Sequence, residues 1–398
     1  MSQPRTPDVA LETRMDADTS THTRLAVMPR RHLLAASGAL ALASLGRTAR
    51  AQDKAILIGQ SVPLSGPVAG AFQGPLAGQQ LAIDAINQKG GIGGRPIRLL
   101  VRDDAYDTER TVRNVHELVD KDRIVALTGL GSTAGVGALL PYLAEKRMPL
   151  VGAWTGAHVL RLKPHPSFFT SQASFKDEVE HALRTLATIR LTEIGVALQD
   201  NPFGQSMQPV IEATAKALGL TVTRIAPLAV DGSNASAAVA DLAAAQPKAV
   251  YLVAVGPSVA AFVKAAKAQL NVPVYTLSVA ASAVTALGAD ARGLAMTQIV
   301  PYPWRQVDPM AREFHQLASA AKLTVSYSMY GGYLGARFLI EALQRAGGTV
   351  TPESIIKGIQ GIRNWSLGGN VLNFGPDRFH GSSWAEITIV DGDGKFKR

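Results

Sequence analysis

Ile56-Leu57-Ile58-Gly59-Gln60-Ser61-Val62 is a short apolar run, and it is followed over residues 73–88 by a stretch in which Ala82, Ile83 and Ile86 recur at helical spacing. A second short run, residues 95–102, comes next. Strand, amphipathic helix and strand in that order mark an α/β chain. The alternation continues outward. Helices are expected at 107–120, 134–147, 175–188, 204–218, 234–245, 257–269, 308–321 and 327–346. Strands are expected at 124–128, 150–152, 193–198, 221–227, 249–255, 274–277 and 296–300, and a C-terminal hairpin around Asp391-Gly392-Asp393-Gly394. Each half holds several β-α units, so two doubly wound sheets fit better than one barrel. With 398 residues the chain has room for two or three domains of roughly 150. Its 47% apolar and 18% charged residues exclude a disordered chain. No Pro/Gly/Ser-rich linker divides the halves, so a boundary near residues 168–174 predicts short crossings acting as a hinge.

Upstream, Met28-Pro29-Arg30-Arg31-His32-Leu33-Leu34 leads into an apolar run through Leu45 and then Ala49-Arg50-Ala51 ahead of Gln52. A basic start, a short apolar segment and small residues before the cut read as a secretory signal peptide. Residues 1–51 are thus expected to be leader, with translation starting at Met28 and cleavage after Ala51. Arg30-Arg31 leaves the ordinary and twin-arginine export routes both open. The chain has no Cys, which excludes disulfides, thiolate metal sites, Cys nucleophiles and a lipidated Cys after the cut, and favours a periplasm. Seven of the 40 basic and four of the 31 acidic residues fall in 1–51, leaving a net +6 beyond Ala51. That excess is too small to argue for nucleic acid. No later apolar stretch reaches the roughly 18 residues of a membrane span, so the mature chain is not expected to be membrane-embedded.

The loops carry the candidate chemistry. Gly90-Gly91-Ile92-Gly93-Gly94 follows a helix and precedes a strand, the wrong order for a phosphate cradle, and reads as a tight turn. Gly129-Leu130-Gly131-Ser132-Thr133 follows a strand and opens a helix, so Ser132 and Thr133 either hold an anion at the helix N-terminus or simply cap it. Ala153-Trp154-Thr155 also follows a strand, at the sheet edge where α/β folds bind ligands. There Thr155 is a donor and Trp154 an apolar wall, or Trp154 is plain core. Gln199-Asp200 to Phe203-Gly204 repeats the placement in the second half, with Phe203 a candidate lid. Asp103-Asp104 is expected to point to opposite faces, one of the two capping the next helix. Beyond Ala51 the histidines are His116, His158, His165, His181, His315 and His380, none at metal-ligand spacing. Neither a catalytic constellation nor a metal site nor a cofactor motif is evident.

In order and spacing, Ile58-Gly59 to Pro63-Leu64-Ser65-Gly66-Pro67, Gly78 to Ile86-Asn87, Gly90 to Arg95, Asp103-Asp104, Gln199-Asp200 to Phe203-Gly204 and Tyr330-Gly331-Gly332-Tyr333 resemble one family. It is that of the periplasmic Leu/Ile/Val-type binding proteins of ABC importers, and the resemblance covers residues 54–398. It implies an α/β, type I periplasmic binding protein fold: two doubly wound lobes joined by a three-crossing hinge, a Venus-flytrap that closes on one ligand and does no chemistry. The lobes would be 53–171 plus 303–373 and 172–302 plus 374–398. The partners implied are a small-molecule ligand and an inner-membrane ABC permease, for a periplasmic monomer. The resemblance implies that the ligand carboxylate is held at Ser132, Ala153, Trp154 and Thr155, beside which the motif places Thr133 as a further ligand-binding candidate. The acid with which the family's amino-acid binders pair an α-ammonium is missing, because Leu277-Ser278-Val279-Ala280 stands in its place. The aromatic after residues 250–255 is replaced by Gly256-Pro257-Ser258. An unpaired ammonium in a closed cleft costs roughly 2 to 5 kcal/mol. An organic or aromatic acid without an amine is therefore expected, unless Asp200 supplies the charge for an amino acid. Phe72, Trp154, Phe203, Tyr302 and Tyr330 are expected to line an apolar pocket. A ligand-sensing module for a receptor and a secreted hydrolase using Ser132 remain the alternatives.

Overall fold

A computed structural model describes residues 55–398, so the leader expectations for residues 1–51 lie outside the described residues. The opening run forms β1 (Ile56–Val62), followed by α1 (Ala69–Gln88), β2 (Ile97–Asp103), α2 (Thr108–Asp120), β3 (Ala126–Thr128), α3 (Thr133–Glu145), β4 (Leu150–Val151) and β5 (Phe168–Phe169). These strands make a parallel sheet in the order β2-β1-β3-β4-β5. Next come α4 (Phe175–Thr188), β6 (Glu193–Gln199), α5 (Pro202–Ala217), β7 (Thr221–Leu228), α6 (Ala235–Ala244), β8 (Ala249–Val253), α7 (Pro257–Gln269), β9 (Val274–Thr276), α8 (Ala281–Leu287) and β10 (Ala295–Gln298). Here β7-β6-β8-β9-β10 repeats the strand order of the first sheet, all parallel. The chain is therefore α/β with two doubly wound lobes. In each sheet the order reverses beside its first strand, and open α/β sheets bind ligands at that switch point.

After β10 the chain returns through α9 (Pro309–Ala320), α10 (Tyr327–Arg345) and α11 (Pro352–Gln360), and α10 lies along α1 of the first lobe. The two-residue hairpin of β11 (Trp365–Leu367) and β12 (Asn370–Leu372) turns at Gly368-Gly369, both at positive φ as such a turn requires. The chain then crosses a third time to β13 (Glu386–Val390) and β14 (Phe396–Lys397), which add antiparallel strands to the second sheet. The expected C-terminal hairpin is this β13–β14 pair. Two of the three crossings run side by side: Thr170 N–H donates to Phe379 O, Gly381 N–H donates to Thr170 O, and Thr170 Oγ1 lies 2.9 Å from His380 Nδ1. Among the described residues no helix is long and apolar enough to cross a membrane.

Three local differences from the sequence reading have physical causes. Helix α1 begins at Ala69 rather than residue 73 and carries Pro75 inside it. Proline has no N–H to give the carbonyl four residues back. The freed Ala71 oxygen instead accepts a hydrogen bond from Ser282 Oγ at 3.2 Å. Neither Asp103 nor Asp104 caps α2; Asp107 does, accepting from Arg110 N–H. Asp103 holds the 63–67 loop through Leu64 N–H, Ser65 N–H and Ser65 Oγ. Those bonds, led by that of Ser65 Oγ, pull its pKa down to about 2. Helix α11 was not foreseen, although Thr351-Pro352 with Ser354 forms a capping box at its start.

Candidate functional site

Between the C-terminal ends of the two sheets lies a cavity of about 100 Å³. The first lobe contributes Ala71, Phe72 and Pro75 from α1, Trp154 from the loop after β4, and Tyr327, Ser328 and Gly331 from α10. The second contributes Val255 after β8, Ser278 and Val279 after β9, Ser282 on α8, and Gln298 to Val300 at the end of β10. Gln172 and Phe175 close the hinge side. The lobes touch across it: besides Ala71 O, Ser282 Oγ reaches Ser328 Oγ at 2.9 Å.

Phe72 and Trp154 both line the cavity and stack with ring centroids 6.1 Å apart. Gly131 lies under the Phe72 ring; a Cβ there would sit 2.6 Å from Phe72 Cζ, so only glycine lets the ring seat on this loop. Ser132, Thr133 and Thr155 converge at the N-terminus of α3 but are buried off the cavity wall. Ser132 Oγ accepts from Gly135 N–H as the helix cap. Thr133 Oγ1 and Thr155 Oγ1 are 2.9 Å apart, and Thr155 Oγ1 also accepts from Ala157 N–H. Ala153 is buried next to them. Among the described residues no imidazole bonds to Ser132 Oγ, which is engaged by Gly135 N–H.

The remaining candidates stand apart from the wall. Phe203 is buried one ring behind it, edge-on to Phe175 at 5.2 Å. Asp200 is exposed at the end of β6. Tyr330 is fully buried against Phe314 and Tyr333, while its helical neighbours Tyr327, Ser328 and Gly331 face the cavity. Tyr302 donates its hydroxyl to Phe396 O. Sequence reading missed Gln172, Ser282, Gln298 and Ser328 as polar lining residues. For Gln298 a signal existed, since it ends a parallel strand.

No charged side chain lines this cavity among the described residues. The acid nearest by hydrogen bonds is Glu178 of α4, fully buried behind Ser278. Its Oε2 accepts from Ser278 N–H at 2.8 Å and from Thr297 Oγ1, and its Oε1 accepts from Ser278 Oγ at 2.9 Å. Burial raises its pKa to about 7 against the lowering effect of those bonds. Near the hinge, Arg161 donates to the carbonyls of Gln172 at 3.0 Å and Ala173 at 3.5 Å. Burial lowers its pKa to about 10, partly offset by Asp177 and Glu178. His380 is kept neutral, its pKa lowered to about 3 by burial and by the nearby Arg161 and His158.

A fold of two repeated α/β lobes with a cavity walled by both defines a class of two-lobed solute-binding proteins. Residues 55–395 match the family model described as periplasmic binding protein, and the chain belongs to that family. A substrate-binding periplasmic protein from Ralstonia solanacearum is 32% identical with a TM-score of 0.79, over 86% of this chain and 99% of that one. A Thermus thermophilus branched-chain amino acid ABC transporter protein with bound valine shares the fold at a TM-score of 0.79 and 20% identity, over 86% and 94%. The Leu/Ile/Val-binding protein homolog 8 of Brucella suis biovar 1 (strain 1330) is 29% identical over 205 residues, 48% of this chain. The chain spans about half the length of that curated relative, 49%.

Proposed function

We propose that this chain is the periplasmic solute-binding component of an ABC importer, binding a small carboxylate-bearing solute between its lobes and delivering it to a membrane permease without chemical change. The observation that carries this reading is the cavity walled by the strand ends of both lobes. A solute there contacts both lobes only when they close, so binding shifts an open–closed equilibrium. The lobes are taken as 53–171 plus 303–373 and 172–302 plus 374–398, with residues 1–51 as an export leader. The relatives' printed names, substrate-binding and Leu/Ile/Val-binding, support the same reading.

The carboxylate is assigned to the hydroxyls of Ser132, Thr133 and Thr155 at the N-terminus of α3, where the helix dipole favours an anion. Thermal unfolding of the purified protein against L-leucine, L-valine, matched amine-free acids and aromatic acids tests the class. A ligand at 100 times its Kd adds about 2.7 kcal/mol. Stabilisation by none of these acids overturns the assignment. Thr155→Val removes a hydroxyl and is expected to weaken a carboxylate ligand by about 1.5 to 3 kcal/mol, the range for a hydrogen bond to a charged group. Calorimetric titration reads this directly, and an unchanged Kd takes Thr155 out of the site.

A further inference from the structure

Ser278 lines the cavity from the loop after β9, and a carboxylate lies directly behind it. Glu178 belongs to α4 and reaches the loop after β9 across 100 residues of sequence. A serine hydroxyl has one proton and two lone pairs. An ionised carboxylate has no proton to give, so the Ser278 proton goes to Glu178 Oε1, and the Ser278 N–H is already spent on Oε2. What remains of this hydroxyl on the cavity side is lone pairs, made more negative by the buried charge behind them. We infer that Glu178 is a specificity-determining positioning residue: acting through Ser278, it makes the second-lobe wall accept a hydrogen bond, so the bound solute brings a donor, an ammonium or a hydroxyl, to that wall. This rests on the reading of the chain as a carboxylate-solute binder.

The same bonds specify what a neutral replacement does. Ser278 N–H can only donate, so in Glu178→Gln the amide oxygen takes the Oε2 position and the NH2 group the Oε1 position. The NH2 then donates to Ser278 Oγ, and the serine proton turns toward the cavity. The wall changes from acceptor to donor with little change in volume. A proton on Glu178 Oε1, beside Ser278 Oγ, does the same, and a pKa near 7 places that change within reach of titration. The groups coupled to it are Asp177 on its own helix, Arg161 from the 3-10 turn His158–Arg161, and Tyr251 from β8. Strand β13, also packed on α4, brings Glu386, which is paired with Arg398.

The test is calorimetric titration of the whole protein with L-leucine, its 2-hydroxy analogue and 4-methylpentanoate, repeated with the valine and phenylalanine series. At pH 8.5 the wild type is expected to prefer a donor-bearing member of a series over the bare acid at least tenfold. The ammonium and hydroxyl arms show which donor it is. Glu178→Gln is expected to cut that ratio at least tenfold and to bind the bare acid more tightly than the wild type does. The wild-type preference should rise from pH 5.5 to 8.5 and stay flat in the variant. A merely structural role weakens all three members alike and does not reorder them. If Glu178→Gln fails to fold, Ser278→Ala removes the hydroxyl itself and should erase the discrimination. Binding with an unchanged order in these variants overturns the inference alone. No binding of any series to the wild type overturns the carboxylate reading and this inference together.

Discussion

Gly332→Ala is expected to destabilise the protein by about 1 to 3 kcal/mol, although alanine is normally favoured over glycine inside a helix by about 1 kcal/mol. Helices α1 and α10 touch backbone to backbone. A Cβ on Gly332 would lie 2.6 Å from both the Cα and the carbonyl carbon of Pro75. A Cβ on Gly78 would lie 2.7 Å from the carbonyl carbon of Met329 and 2.8 Å from Tyr333 N. No rotamer relieves a clash with main chain, so the two helices must part. Overpacking of this kind costs about 1 to 3 kcal/mol and sometimes more. Gly331 is the internal control, since a Cβ there meets nothing nearer than Gln172 Nε2 at 3.8 Å. Gly331→Ala should therefore be neutral or stabilising. Urea unfolding of both variants reads the contrast, and a Gly332→Ala protein as stable as the wild type would show that the helices are not held at this distance. The effect also reaches function, because α1 carries Phe72 and Pro75 and α10 carries Tyr327 and Ser328 into the same cavity wall. Solute affinity should fall along with stability.

That contact also shows where sequence reading stops. The β-α units were legible because short apolar runs and amphipathic stretches alternate without interruption, and Trp154 stood out because it follows a strand. Phe72 was legible as an aromatic, but not as a ring seated on Gly131. The phase of the first half of α10 was not legible: the polar positions Arg337, Glu341, Gln344 and Arg345 all fall in its second half, and nothing but Ser328 marks that Tyr327, Ser328 and Gly331 meet the cavity while Tyr330 turns into the core. The start of α1 was hidden by Pro75, whose helical placement depends on a hydroxyl from the other lobe. Glu178 was the most thoroughly hidden. Asp177-Glu178 at a helix start reads as a pair of acids favoured by the dipole and solvated on the surface, and Asp177 does form the capping box with Ser174. Which of two adjacent acids is buried depends on the partners that β9 and β10 bring, Ser278 and Thr297, and these are about a hundred residues away.

The stability difference between Glu178→Gln and the wild type is expected to shift by roughly 3 kcal/mol in the variant's favour from pH 4 to pH 8, at about 1.36 kcal/mol per pKa unit. A glutamate in the unfolded chain ionises near 4.5, whereas the buried one ionises near 7. Between those values the folded protein keeps a proton that the unfolded chain has released, so wild-type stability is full below 4.5 and declines as pH rises through 7. Glutamine has no such proton, so the gap opens across this window and is constant on either side. Taking the difference cancels His380, whose lowered pKa makes both proteins lose stability as pH falls below about 6.5. Urea unfolding at half-unit pH steps measures it, and a difference that does not vary with pH would mean that Glu178 ionises as readily folded as unfolded. The burial that destabilises the ionised carboxylate also keeps water from competing with Ser278 for it, so the charge behind the cavity wall is not screened away. A Glu178 exposed enough to be harmless to stability would be too well hydrated to orient that hydroxyl, and this ties the size of the stability effect to the strength of solute discrimination.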